Sequence, residues 1–118
     1  MKEMKDKQVL IVGMARSGVA AARMLSRLGA KLTLTDTRNS EQMASAIEQL
    51  RDIDANWQLG VEPDALIEGK DYIILSPSVY YWAPWVEKAK QNGTEVVSEL
   101  QLGAWFTQGD FVAVTGTN

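Results

Sequence analysis

The sequence predicts an α/β protein, a three-layer sandwich with a mostly parallel sheet of five to six strands and helices on both faces. Three observations carry this. Short apolar runs alternate with helix-like stretches along the whole chain, the pattern of successive βα units. Glycines punctuate the junctions, notably Gly13, Gly29 and Gly93. No repeat, linker or low-complexity tract interrupts the pattern, so residues 1–118 read as one domain.

The elements follow in order. "QVLIVG" (8–13) is a short apolar run closed by Gly and reads as a buried strand. "SGVAAARMLSRLG" (17–29) reads as a helix, with Arg16, Arg23 and Arg27 outward and Gly29 as its stop. "KLTLTD" (31–36) is a second strand. Asn39 or Ser40 caps the next helix, in which Met43, Ala46, Ile47 and Leu50 form an i, i+3, i+4, i+7 stripe. "NWQLG" (56–60) is a weak third strand, "PDALIEG" (63–69) a short helix, and "DYIILS" (71–76) a buried strand. Pro84 suits the first turn of a helix running to about Gln91, closed by Gly93. "EVVS" (95–98), "SELQLGAWF" (98–106) and "FVAVT" (111–115) complete the series as strand, helix and sixth strand.

Composition narrows the function. Twelve Lys and Arg against fifteen Asp and Glu leave a net charge of −3 with no basic patch, so no nucleic-acid partner is expected. There is no Cys and therefore no sign of an oxidising compartment. The opening apolar run is too short for a signal peptide or membrane span, and a cytoplasmic location is expected. The absence of His removes His triads, His metal sites and the commonest general base.

In a parallel sheet of this kind, ligands bind beyond the carboxyl ends of the strands. The first such corner is "GMARSG" (13–18). It has G-x-G-x-x-G spacing, with Ala15 at the second glycine place. Gly13 makes the tight turn, and backbone N–H groups near Ser17 and Gly18 open the helix toward an anion, in a Rossmann-like arrangement. A glycine-punctuated turn packed tightly for its own sake is the competing reading. The second corner is Asp36-Thr37-Arg38. An acid about 20 residues beyond the glycine loop stands where a ribose hydroxyl is held. The alternative is an Asx turn with Arg38 in solvent. At the last corner, "VAVTGTN", the residues Thr115, Gly116, Thr117 and Asn118 resemble the start of a phosphate loop but lack the Gly-Lys-Ser/Thr that completes one. On residues alone the reading is a nucleotide-binding domain. A fragment of an NAD-binding dehydrogenase is the weaker alternative, since no proton-relay His is present.

These residues together resemble the N-terminal domain of the Mur ligases, within the D-glutamate-adding branch. The resemblance rests on "VLIVGMARSGVAAARMLSRLGAKLTLTD", the "DTR" corner, "YIILSPS", "PWVEKAKQNGTEVVSELQL" and "VAVTGTN", and covers nearly the whole chain. It implies a UDP-anchoring domain of a three-domain enzyme of peptidoglycan synthesis. In that enzyme ATP phosphorylates a substrate carboxylate and an amine attacks the acyl phosphate. It also implies that Arg16 and Ser17 face the diphosphate and that Asp36, Thr37 and Arg38 hold the uracil end. The corner Ser76-Pro77-Ser78 would cover the nucleotide from the other side. ATP and Mg²⁺ belong to the family's other domains. No catalytic residue, metal or cofactor is therefore expected in this chain, which should be inactive as an isolated ligase. Its implied partner is a UDP-linked muramoyl substrate.

One stretch departs from the family pattern. In "SPSVYYWAPW" (76–85), Ser78 stands at a glycine place and Tyr80 at a proline place, followed by Tyr81 and Trp82. Gly suits a close backbone approach because it lacks Cβ. Trp82, Trp85, Val86 and Ala89 have helical spacing and read equally as core, with Trp85 the strongest core candidate. Tyr80, Tyr81 and Trp82 precede Pro84 and read as a rim patch. At roughly 150–250 Å² per ring, three would cover about 450–750 Å², close to one partner's share of a standard interface, ~800 Å². A diverged or engineered loop that binds a partner protein or a second copy is thus a second functional hypothesis.

Overall fold

The computed structural model describes residues 3–77, 79 and 82–106. Among the described residues five strands, β1 (Gln8–Val12), β2 (Lys31–Asp36), β3 (Ala55–Leu59), β4 (Tyr72–Leu75) and β5 (Glu95–Ser98), form one sheet in the order β3-β2-β1-β4-β5. Every neighbouring pair is parallel, with Ile11 opposite both Leu34 and Ile74 at the centre. The helices are α1 (Arg16–Arg27), α2 (Ala44–Gln49), α3 (Pro84–Gln91) and α4 (Glu99–Phe106), with one 3₁₀ turn at Pro63–Ala65.

Side-chain alternation along the strands sorts the helices onto two faces. Val9 and Ile11 of β1, Leu32 and Leu34 of β2, Ile74 of β4 and Val97 of β5 pack against Ala22 and Leu25 of α1, Ala46 of α2 and Leu102 of α4. The alternate residues Leu10, Val12, Ile73 and Leu75 meet Ile67 and the α3 residues Val86 and Ala89. The chain winds outward from β1 through β2 to β3, then crosses back to β4 on the other side of β1. Right-handed crossovers place the helices of the two directions on opposite faces. The reversal leaves an opening between the carboxyl ends of β1 and β4.

Several boundaries differ from the sequence expectation, each for a local reason. The first helix has its last regular residue at Arg27, and Gly29 stops it as expected: at φ +86 it lets the Ala30 N–H reach back to the Leu25 carbonyl. Neither Asn39 nor Ser40 caps α2, whose N-cap is Met43 without a side-chain bond; Asn39 closes an earlier turn, its Oδ1 accepting from the Gln42 N–H while its own N–H donates to Gln42 Oε1. Regular α2 starts only at Ala44. The expected helix at 63–69 shrinks to one 3₁₀ turn, after which Ile67 drops into the core at 2% exposure. α4 starts at Glu99, with Ser98 Oγ capping it by accepting from the Gln101 N–H. Met4, unremarked in the sequence, is buried in the larger core cluster. The expected sixth strand at 111–115 lies outside the described residues.

The tightest packing lies where β1 turns into α1. Gly13 has φ +98, and a Cβ there would sit 2.5 Å from Ser76 Cβ at the end of β4. Gly18, one turn into α1, lies against the Gly13 carbonyl oxygen so closely that a Cβ would collide with it. The glycine spacing of "GMARSG" is therefore explained by contacts among β1, α1 and β4. Gly13→Ala should destabilise the chain by about 2–4 kcal/mol, combining backbone strain with overpacking. Gly60→Ala, at φ +71 with nothing within 4 Å of the new methyl, should cost only about 1–2 kcal/mol. Urea unfolding of the two variants measures the difference, and equal losses would refute the packing explanation.

Candidate functional site

A cleft of about 560 Å³ opens over the carboxyl ends of the strands. Its walls bring together Gly13 and Ala15 from the first loop, Asp36, Thr37 and Arg38 from the end of β2, and Ser76 from the end of β4. These are six of the residues expected from sequence. Arg16 and Ser17 are exposed in the first turn of α1 and lie off the cleft wall, and Gly18 is buried beneath them. Pro77 is exposed, while Ser78, Tyr80, Tyr81 and residues 115–118 lie outside the described residues.

The electrostatic centre is Asp36, whose side chain is nearly enclosed. Its Oδ2 accepts from the Met14 backbone N–H at 2.8 Å, fixing the glycine loop to the end of β2. Oδ1 accepts from the Arg38 backbone N–H at 3.0 Å, an Asx turn. The Arg38 guanidinium folds back as well, with Nε to Oδ1 at 2.9 Å and Nη2 to Oδ2 at 2.8 Å. This two-pronged pairing, joined by the backbone donors and opposed by burial, holds the Asp36 carboxyl far below the usual carboxylate range. Arg38 remains about half exposed and has further N–H groups to offer a ligand acceptor.

The end of the cleft at the start of α1 has the opposite character. Ala15 stands at the N-cap of α1 without a side-chain cap, and the first turn carries no acidic residue. Backbone N–H groups and the helix dipole thus favour an anion at this end. Across the cleft stand Val61, Glu62 and Pro63 from the loop after β3, with Val79, Ala83 and Trp85 from the approach to α3. The residue pattern assigns no cleft role to Val61 and Glu62, and it marks Trp85 as core alone. "VEP" directly follows a predicted strand and so falls on the same sheet edge, a signal that was available. Trp85 packs against the smaller core cluster and also walls the cleft. Trp82 is 77% exposed and precedes α3, so the alternative that placed it in the core does not hold. Thr35 also lines the cleft, and its buried hydroxyl has no hydrogen-bond partner. Among the described residues no group of three or more His, Cys, Asp or Glu can hold a metal, and no helix is long and apolar enough to cross a membrane.

The depressed Asp36 pKa has a direction that can be checked. The stabilisation from the ionised pair is complete above the ordinary Asp value of 3.8 and is lost as pH falls below it. Asp36→Asn should cost about 1–3 kcal/mol at pH 7. Its disadvantage relative to the parent should shrink as pH falls from 4 toward 2. Thermal unfolding across pH 2–7 reads this, and a pH-independent difference would show that the pair is not the cause.

A family model described as "Mur ligase MurD-like, N-terminal domain" matches residues 7–98. The chain is 40% identical over 116 residues to the UDP-N-acetylmuramoylalanine--D-glutamate ligase of Geobacter sp. strain M21, covering 98% of this chain and 26% of the relative. It is 39% identical, with the same coverages, to the ligase of that name from Citrifermentans bemidjiense. It thus spans about a quarter of the length of these relatives. Shikimate dehydrogenase from Aquifex aeolicus shares the fold, with a TM-score of 0.53 at 18% identity over 87% of this chain and 46% of that one. The glycine loop, the Asp36–Arg38 corner and the β3-β2-β1-β4-β5 sheet are thus those of a chain that belongs to the family of MurD-like Mur ligase N-terminal domains.

Proposed function

We propose that this chain anchors the UDP part of a UDP-linked muramoyl substrate for a cytoplasmic ligase that adds D-glutamate in peptidoglycan synthesis, and that it does no bond-making chemistry itself. The observation that supports this most directly is the pairing of two unlike ends in one cleft. An uncapped helix N-terminus without acidic residues suits a diphosphate. The Asp36–Arg38 corner, rigid and rich in donors, suits a flat polar base. About 560 Å³ lies between them, within the usual size of a small-molecule site. In this proposal ATP and Mg²⁺ act elsewhere in a longer ligase, and binding energy from the UDP end positions a reacting carboxylate remote from this cleft.

A second reading rests on Trp82. A Trp with 77% of its surface exposed at the rim of the cleft suits a protein contact, and Tyr and Trp dominate interface hot spots. In that reading the loop before α3 serves a partner protein or a second copy of the chain.

Titration with UDP while following backbone amide signals distinguishes the two. Anchoring predicts saturable shifts in the micromolar-to-millimolar range, concentrated at residues 13–18 and 36–38. A response absent from those amides, with concentration-dependent sedimentation that disappears in Trp82→Ala, would replace the first reading with the second.

A further inference from the structure

Glu99, the first residue of α4, turns its carboxylate into the interior behind the glycine loop. Both of its carboxylate oxygens are shut off from solvent without a hydrogen-bond partner in good geometry. Such a buried carboxylate is costly unless it is paired or neutral. α4 is pinned in place around it. Leu102 enters the core beside Leu25 of α1, and Trp105 stacks edge-on against Tyr72 of β4 with ring centroids 5.9 Å apart. The Ser98 hydroxyl fixes the first turn. Glu99 therefore has little room to turn outward. The polar group acting on it is the hydroxyl of Ser17, which lies in the first turn of α1 off the cleft wall, two residues beyond the Ala15 that lines the anion end.

We propose that Glu99 is a proton-coupled positioning residue for the anion end of the cleft: it works as the neutral acid, shares the Ser17 hydroxyl with the ligand's diphosphate, and draws a proton from solvent when that diphosphate binds. This rests on the anchoring function proposed above. A carboxylate behind the loop would repel a diphosphate and compete with it for the Ser17 hydroxyl. A carboxylic acid does neither, and its O–H can donate to the Ser17 oxygen while the serine donates to phosphate. Burial raises the Glu99 pKa above the ordinary glutamate value, and the Ser17 hydroxyl only partly opposes it. The elements packed on α4 carry Arg16, Arg23 and Arg27 on α1, Tyr72 on β4 and Glu95 on β5. None of these contributes to the shift, so burial sets it. An approaching diphosphate adds negative charge and pushes the carboxyl further toward its protonated form.

The test uses UDP-N-acetylglucosamine, a diester whose own diphosphate does not titrate near neutrality. Calorimetric titrations in buffers of different ionisation enthalpy should show net proton uptake on binding. Affinity should weaken as pH rises, by up to tenfold per pH unit where one proton is fully coupled. In Glu99→Gln, which mimics the acid, uptake should vanish and the affinity should become flat with pH, equal to or tighter than the parent's at pH 7.5. Unchanged proton uptake in Glu99→Gln, or a parent that binds without taking up a proton, would overturn the assignment while leaving the anchoring function standing. A parent that binds no UDP-N-acetylglucosamine at any pH would overturn both. If Glu99→Gln fails to fold, the ¹³C carboxyl shift of Glu99 in the unaltered chain gives the same reading. A higher apparent pKa with ligand than without supports the proposal, and an unchanged one refutes it.

Discussion

The carboxylate of Asp36 joins two loops that share no helix or strand. Through Met14 it holds the glycine loop that follows β1, and through Arg38 it shapes the loop that follows β2. The sheet supplies rigid ends, but hydrogen bonds within strands stop where the strands stop. Beyond that line a single buried acid sets the distance between the helix opening at α1 and the donor-rich corner at β2. Each of its oxygens accepts more than one donor, so the corner's geometry is overdetermined, as a site that must meet a rigid ligand requires.

Steric contact does the same work on the other side of β1. Gly13 and Gly18 let α1 settle directly onto the turn, and Ser76 closes on Gly13 from β4. Between these strand ends the cleft is lined by small groups, Gly13, Ala15 and Ser76, with Arg38, Pro63 and Trp85 among its larger ones. A helix seated this low brings its first turn to the level of the strand ends. It also brings α1 against α4, which is how an acid on the last described helix comes to lie behind the loop.

Much of this was legible in the chain. The strand-like runs placed every described strand within about a residue; central β1 and β4 stood out most, because parallel strands covered on both faces need continuous hydrophobicity, whereas edge strand β3, only partly buried, gave the weak signal. The glycine spacing and Asp36 marked two of the cleft's corners, since both are tied to backbone geometry that few other residues can serve. Three things were not legible. The fold-back of Arg38 depends on a side-chain torsion that spacing does not encode. The loop after β3 entered the cleft through tertiary proximity alone. Glu99 read as an ordinary acid at a helix start, because its burial comes from helices that are distant in sequence. The short α2 and the vanished helix at 63–69 were missed for a related reason: a capped turn and a residue dropping into the core satisfy local hydrogen bonds as well as a full helix would.

The closed pairing of Asp36 with Arg38 has one more consequence. A ligand entering that corner meets two charges that already cancel, so little long-range attraction acts there. The remaining attraction comes from helix N–H groups, whose field fades within the first turn. Recognition by this cleft should thus depend on contact more than on steering. Ionic strength would alter its occupancy far less than it alters sites that gather phosphates with exposed lysines and arginines. A cleft built this way would select a ligand by fit in a crowded, salty cell without becoming a general sink for anions.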